Sequence, residues 1–263
     1  MSNSETNRAN RVVLVTGGGS GIGEAIARVF VAEGAAVVIT GRRREVLDRV
    51  VADLEAQGGR AVAVAGDVSR PEDAMRMVET AVEELGGLHV LVNNAGIAQG
   101  GAVEDHGDDE LDALIDIDLK GPIHMLRAAL PALRTHRDTG GAVVLNISSS
   151  VASTVLSKRS VYSAAKAGLD QLTRCWALDL AADRIRVNAI APGIVETPIF
   201  ETVMSSEAAT QFLTTAAKIT PLGRAGRPDD VAETARFLAS PAAEWITGVV
   251  IPVDGGISLA GDV

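Results

Sequence analysis

Cysteine and aromatic residues are scarce in this sequence. Its 263 residues include one cysteine, Cys175, one tyrosine, Tyr162, and only 3% aromatic side chains. A lone cysteine excludes an intrachain disulfide and a cysteine-rich metal site, so no metal is expected, and it fits a reducing, cytoplasmic setting. With few rings and 47% hydrophobic residues, the core must be built from Val, Ala, Ile and Leu. Val and Ile favour buried strands, and Ala favours closely packed helices. Positive charge is also short: 24 Lys and Arg stand against 34 Asp and Glu, a net charge of −10. An acidic surface repels phosphate backbones, which argues against a nucleic-acid partner. No apolar run approaches the roughly 20 residues of a membrane helix, so no membrane partner is expected. Residues 1–10 are polar, lack the apolar stretch of a signal peptide, and read as a flexible tail.

The chain does contain a regular alternation. Residues 11–16 (RVVLVT), 36–40 (AVVIT), 61–65 (AVAVA), 88–92, 142–147, 186–190 and 249–253 are short, apolar runs that predict strands. Between them, apolar positions recur at helical spacing over 24–33, 45–57, 71–85, 108–134, 161–180 and 229–238. Gly34 stops the first of these helices, Ser69 is the expected N-cap of the third, and Pro71 opens it. Pro122 predicts a break near Lys120-Gly121 inside the long fourth helix. Residues 197–218 read as a loop carrying short helices. Strands apolar on both faces, alternating with helices, imply an α/β fold with a doubly wound parallel sheet of about seven strands and helices on both faces. No linker divides residues 11–263, which read as a single domain. Ligands in such folds bind at the carboxyl ends of the strands.

Four motifs stand out, three of them at those ends. Thr16-Gly17-Gly18-Gly19-Ser20-Gly21-Ile22-Gly23 joins the first strand to the first helix. Glycines let a backbone approach a pyrophosphate, and the helix start aims its N–H groups at it. Asn93-Asn94-Ala95-Gly96 follows the fourth strand, Tyr162-Ser163-Ala164-Ala165-Lys166 lies in a helix, and residues 188–193 (NAIAPG) close the sixth strand. In this order they resemble the short-chain dehydrogenase/reductase family over nearly the whole chain. Residues 221–226 (PLGRAG) and Asp254-Gly255-Gly256 broadly resemble its 3-oxoacyl-carrier-protein reductases. The resemblance implies a Rossmann-like dinucleotide-binding and catalytic domain. It also implies an oxidoreductase that moves a hydride between a nicotinamide cofactor and a carbonyl or secondary alcohol. Gly17, Gly19, Ser20, Gly21, Ile22 and Gly23 would face the phosphates. Asp67 and Val68 would meet the adenine. Asn94, Ala95, Gly96 and Tyr162 would also contact the cofactor, and Lys166 would hold the nicotinamide ribose. Pro192, Gly193, Val195 and Thr197 would hold the carboxamide side.

The second strand bears on the choice of cofactor. A carboxylate at its end would bind a ribose 2′-hydroxyl and repel a 2′-phosphate. NAD-preferring members carry Asp where Gly41 stands here, and Arg42 follows, a residue able to pair with the phosphate. NADP(H) is therefore favoured, with NAD(H) the alternative.

Hydride transfer to a carbonyl builds charge on oxygen, which the site must stabilise and protonate. A phenol near pKa 10 needs a nearby cation for that work. Lys166, four residues after Tyr162, shares its helix face. The family pattern implies Tyr162 as general acid/base, Lys166 as the cation that lowers its pKa, and a serine thirteen residues before the tyrosine, which lands on Ser149 with Ser148 and Ser150 beside it. Asp118 stands where relatives carry an Asn that supports a helix kink and a proton relay. Aspartate keeps an acceptor, loses the amide donor and adds a negative charge for Lys166 to offset.

The partner is expected to be a small-molecule carbonyl or alcohol. Residues 200–218 read as a mobile flap over it, and Ala98, Gln99, Ser157, Arg159 and Phe200 are further pocket candidates. Lys158 and Arg159 would either meet an acidic substrate group or stand in a solvated loop. Family members are commonly homotetramers, and the apolar residues of 108–134 and 161–180 suit such an interface or a core-facing stripe. Three alternatives compete: a nucleotide-binding regulator that has lost its chemistry, an NAD-dependent sugar or alcohol dehydrogenase, and epimerisation or dehydration on the same scaffold.

Overall fold

The computed structural model describes residues 11–202 and 204–260. The expected tail, residues 1–10, lies outside the described residues. The strands are β1 (Val12–Thr16), β2 (Ala36–Gly41), β3 (Arg60–Ala65), β4 (Val90–Asn93), β5 (Ala142–Ile147), β6 (Ile185–Pro192) and β7 (Val250–Val253). The helices are α1 (Gly21–Ala32), α2 (Arg44–Ala56), α3 (Pro71–Leu85), α4 (Asp108–Ile115), α5 (Gly121–Arg134), α6 (Ser160–Asp179), α7 (Ser206–Ile219) and α8 (Pro228–Ala239).

β1 and β5 are buried at every position, and a strand of that kind needs a layer on each face. Period-two alternation supplies both cores. Val13, Val15, Val37 and Ile39 point into one, closed by Ile26 and Phe30 of α1, Leu47 of α2 and Leu238 of α8. Val12, Leu14 and Val38 point into the other, closed by Met77 of α3, Met125 and Leu133 of α5 and Ala177 of α6. The sheet is seven-stranded, in the order β3-β2-β1-β4-β5-β6-β7, and every pairing is parallel. The winding direction reverses between β1 and β4. Crossovers leave that point on opposite faces, so a crevice opens above the carboxyl ends of these two strands.

The doubly wound parallel sheet is the expected fold; one local expectation is refined and three are corrected. The interruption expected near Lys120-Gly121 within 108–134 is present, and it takes the form of a π-helical turn inside a continuous helical stretch. α4 ends at Ile115, a π-helical turn spans Asp116–Lys120, and α5 runs on from Gly121, with Pro122, which lacks an N–H, directly after the turn. Residues 206–219 form one 14-residue helix instead of short pieces. The Ser205 hydroxyl caps that helix by accepting from Ala208 N, and Thr210, Thr214 and Thr215 donate back to carbonyls one turn earlier. A polar composition that reads as a loop is thus absorbed by the helix itself. Ser69 is not the cap of α3. Arg70 occupies that place, and Ser69 turns back to donate its N–H and hydroxyl to Asp67 Oδ1 at 2.9 and 2.7 Å. Strands β2, β4 and β6 each run past the expected carboxyl end, reaching Gly41, Asn93 and Pro192.

Candidate active site

The chain leaves β1 at Thr16 and must turn at once into α1. Gly21 takes a left-handed φ of +56° at the helix start. A side chain on Gly23 would collide with the carbonyl oxygen of Gly17. Ser20, the residue before α1, is extended and makes no side-chain cap, so the first N–H groups of the helix face outward uncapped. A phosphate group fits this cradle.

The motif after β4 braces the same loop. Asn94 Nδ2 donates to the carbonyls of Thr16 and Gly17 at 2.9 and 3.2 Å, and the N–H groups of Asn94 and Ala95 donate to Thr16 Oγ1. On the far side, Thr197 packs against Gly21, where a Cβ would lie 3.0 Å from Thr197 Cγ2. Gly193 is packed on Asp254, which leaves no room for a Cβ. The residue that follows β7 therefore fixes the segment after β6.

Together these segments border a cleft of about 1620 Å³ over the switch point. Gly17, Gly19, Ser20 and Ile22 form its phosphate end, with Arg42, Asp67 and Val68 along one wall. Asn94, Ala95 and Gly96 form its floor, and Pro192, Gly193, Val195 and Thr197 its opposite wall. Ser149, Tyr162 and Lys166 open onto the same space. Gly21, Gly23 and Asp118 do not line it; they stand behind it as support. Of the further pocket candidates, Ala98, Gln99, Ser157, Arg159 and Phe200 line the cleft. Lys158 does not: it is exposed, with a left-handed φ of 60°. The expected flap is the turn Pro198–Thr202 followed by α7, and Phe200 and Phe212 pack there with ring centres 5.0 Å apart.

The three serines after β5 differ in what holds them. Ser148 is buried, its hydroxyl 3.5 Å from the carbonyl of Lys166. Ser150 is buried, and its carbonyl takes the hydroxyls of Ser153 and Thr154. Ser149 is only half-buried, and its Oγ makes one long contact, accepting from Val151 N at 3.4 Å. It is the serine freest to address a ligand. On α6, Lys166 Nζ lies 5.8 Å from the centre of the Tyr162 ring and donates to the carbonyl of Ile147 at 3.1 Å.

Behind Lys166 stands Asp118, wholly buried in the π-helical turn. Its Oδ1 accepts from Ile97 N at 3.0 Å and lies 3.9 Å from Lys166 Nζ, while Oδ2 is buried without a partner. Burial pushes the Asp118 carboxyl up. The Lys166 charge and the Ile97 N–H pull it down without offsetting that cost. A second carboxyl, Asp170, sits one turn beyond Lys166 and is also raised by burial, against the pull of Ser148, Arg174 and Lys166. The sequence reading missed Asp170. It also missed a buried ladder in which Asn93 Nδ2 donates to Asn146 Oδ1 and Asn146 Nδ2 to Thr173 Oγ1, each at 2.8 Å. Only the adjacency of β4, β5 and α6 creates that ladder. Among the described residues, no cluster of His, Cys, Asp or Glu suited to a metal occurs, and no helix is long and apolar enough to cross a membrane.

Comparison with known proteins agrees with this geometry. A short-chain dehydrogenase family model, described as enoyl-(acyl carrier protein) reductase, matches residues 17–258. The chain belongs to the short-chain dehydrogenase/reductase family. This family member is 38% identical over 265 residues to versicolorin reductase of Emericella nidulans, covering 97% of this chain and 99% of that one. It is 41% identical over 253 residues to cis-4-hydroxycyclohexanecarboxylate dehydrogenase of Sinomonas cyclohexanicum, covering 94% and 96%. In structure it is similar to a 7α-hydroxysteroid dehydrogenase solved with NADH and 7-oxo glycochenodeoxycholic acid. The TM-score is 0.88 at 32% identity, covering 97% of this chain and 98% of that one. The short-chain dehydrogenase/reductase reading thus extends over nearly the full described length, oxidoreductase activity included.

Proposed function

We propose that this oxidoreductase transfers a hydride between NADP(H) and a ring-bearing ketone or its secondary alcohol, using Tyr162 as the general acid/base. One observation carries the reading: Ser149, Tyr162 and Lys166 open onto the same cleft as the glycine loop. When bound, the nicotinamide supplies the hydride in reduction and takes it up in oxidation. The chain does the rest. The Ser149 hydroxyl donates to the substrate oxygen, the Tyr162 hydroxyl gives or receives the proton, and the Lys166 ammonium stabilises negative charge arriving on the phenol oxygen. Asp118 positions Lys166 from behind.

Three features support the finer parts of this reading. Gly41 ends β2 without a carboxylate, and Arg42 is exposed on the cleft wall beside it, which favours NADP(H) over NAD(H). Val155, Leu156 and Phe200 give the substrate half an apolar wall, and two relatives act by name on ring compounds, a hydroxycyclohexanecarboxylate and a hydroxysteroid. Leu178 and Trp245 are 81% and 96% exposed, in support of a homotetramer across α6 and the β7 edge.

The test is cofactor oxidation against a panel of ring ketones. Tyr162→Phe should abolish turnover while dinucleotide binding, followed by fluorescence, persists. Retained turnover would remove Tyr162 from the reaction. For the cofactor, a Cβ at position 41 would meet only Leu47 Cδ2, at 3.6 Å, so Gly41→Asp introduces a carboxylate without a clash. Combined with Arg42→Ser, it should turn preference toward NAD(H). Equal kcat/KM for the two cofactors in the unaltered protein would refute the NADP(H) assignment.

A further inference from the structure

The substrate half of the cleft holds one cation that the reaction does not use. Arg159 lines the cleft immediately before α6, three residues ahead of Tyr162. Its side chain is seated, not waving. Nη1 donates to the carbonyl of Ala98 at 3.1 Å, and the guanidinium lies flat against Gly100, where a Cβ would stand 2.8 Å from its central carbon. The two loops that hold it are tied together by Gly101 N donating to the carbonyl of Lys158 at 2.9 Å. One of the five N–H donors of a guanidinium is used in this way. Among the described residues Arg159 forms no ion pair. The acidic residues of the same wall are Asp109 and Glu110, and Glu110 is engaged elsewhere, by His106 at 3.3 Å and Gln99 at 3.5 Å. Lys158, the neighbouring cation, stands off the wall.

A fixed, unpaired guanidinium in a cleft is ready to receive an anion, because the ordering cost has already been met by the fold. Next to it the wall is greasy and uncovered: Val155 is 100% exposed and Leu156 53%. An apolar ligand body would cover both. We propose that Arg159 is the anion-binding group of the substrate half, and that the substrate is a ketone or secondary alcohol carrying a carboxylate on an apolar body. The carboxylate docks on Arg159, the body lies on Val155 and Leu156, and the reacting oxygen is presented to Tyr162 and Ser149. This rests on the oxidoreductase reading above.

Matched pairs test it: oxo acids and their methyl esters on cyclohexane, decalin and steroid frames, assayed with NADPH and, separately, with NADH. The acid of each pair should be preferred about 10- to 100-fold in kcat/KM, the span of a hydrogen bond to a charged group. The difference should lie mainly in KM, because the anion contact is made equally in ground and transition states. Arg159→Gln should bring the acid-to-ester ratio close to one, and Arg159→Lys should keep part of it. Because the readout is a ratio within each variant, a partly destabilised variant still reports. Esters equal to acids in the unaltered protein, or an acid preference that survives Arg159→Gln, would overturn the proposal. A panel with no turnover at all would sink the oxidoreductase reading instead. The anion site is then judged by calorimetric titration of the NADPH-loaded protein with cyclohexanecarboxylate and cyclohexanecarboxamide. Tighter binding of the carboxylate, lost in Arg159→Gln, supports the site, and equal binding ends it.

Discussion

At the carboxyl end of β4, Asn94 and Gly96 border an open cleft. At the amino end of the same strand, His89 stacks on His136 with ring centres 3.8 Å apart. His136 Nε2 aside, which is buried without a partner, the polar side chains at the amino end of the sheet are hydrogen-bonded to backbone groups. His89 Nδ1 accepts from Val12 N at 3.0 Å, Arg11 donates to the carbonyl of Ala239, and Arg186 donates to the carbonyls of Ile246 and Ser240. At the carboxyl end the accounts are left open: Asp118 Oδ2 and Asp170 Oδ1 are buried without partners, and the start of α1 has no side-chain cap. One sheet therefore carries a closed end that serves stability and an open end that holds unmet hydrogen-bonding capacity for ligands. If the division is right, substitutions at the open end should move turnover and leave the fold, and the reverse should hold at the closed end.

The largest effect is expected from Lys166→Met. It removes the charge beside Tyr162 and should lower kcat about 10³-fold, roughly 4 kcal/mol. The thermal midpoint should move by only a few degrees, since the losses are one hydrogen bond to Ile147 and a 3.9 Å contact with Asp118, whose carboxyl is already raised by burial. A variant that unfolds outright would show that Lys166 belongs to the framework after all.

Next in size comes the closed end. Burial first, then the charges of His136 and Arg11, hold His89 down at about 4 instead of 6.5. Burial also lowers His136. Because the folded state keeps His89 neutral, its contribution is complete above pH 6.5 and is lost as pH falls toward 4. The loss is about 3 kcal/mol in all. Urea unfolding at pH 7, 5.5 and 4.5 should show the decline. His89→Asn, which keeps an acceptor for Val12 N, should flatten it without changing turnover at pH 7. An unchanged slope in the variant would assign acid sensitivity to the carboxylates.

Ser149→Ala follows, with an expected loss of about 10²-fold in kcat. Ser148→Ala should cost less in rate and more in stability, because Ser148 is buried against α6. A reversal of that order would move the substrate contact from Ser149 to Ser148.

The two ends also differ in how much of them is legible in the sequence. The strands, the winding and the cleft-facing motifs are readable because each is local: an apolar run, then a glycine or a polar residue at its carboxyl end. The closed end and the supports behind the cleft are not local. His89 meets His136 across 47 positions, and Asn93 meets Asn146 across 53. Neither pair is visible until β4 lies beside β5. Arg159 was readable as a charge, but its seat on Gly100 depends on how two loops meet. Pro122 signals the interruption just ahead of it in 108–134, but nothing local shows that it takes the form of a π-helical turn over Asp116–Lys120.

Asp118 gives the smallest and sharpest test, since it is a buried group at the open end. Asp118→Asn keeps the shape and the acceptor for Ile97 N and removes the ionisable proton. Burial raises this carboxyl in the folded protein, so the unfolded chain ionises first as pH rises. The unaltered protein should therefore lose stability relative to Asp118→Asn as pH climbs above about 4, the ordinary carboxylate value. The rate at pH 7 should change by no more than about fivefold, roughly 1 kcal/mol. The pH dependence of kcat should simplify, because Lys166 no longer shares its surroundings with a titrating carboxyl 3.9 Å away. A stability gap that is flat with pH would mean that Asp118 stays ionised beside Lys166, so that the open end contains a closed ion pair.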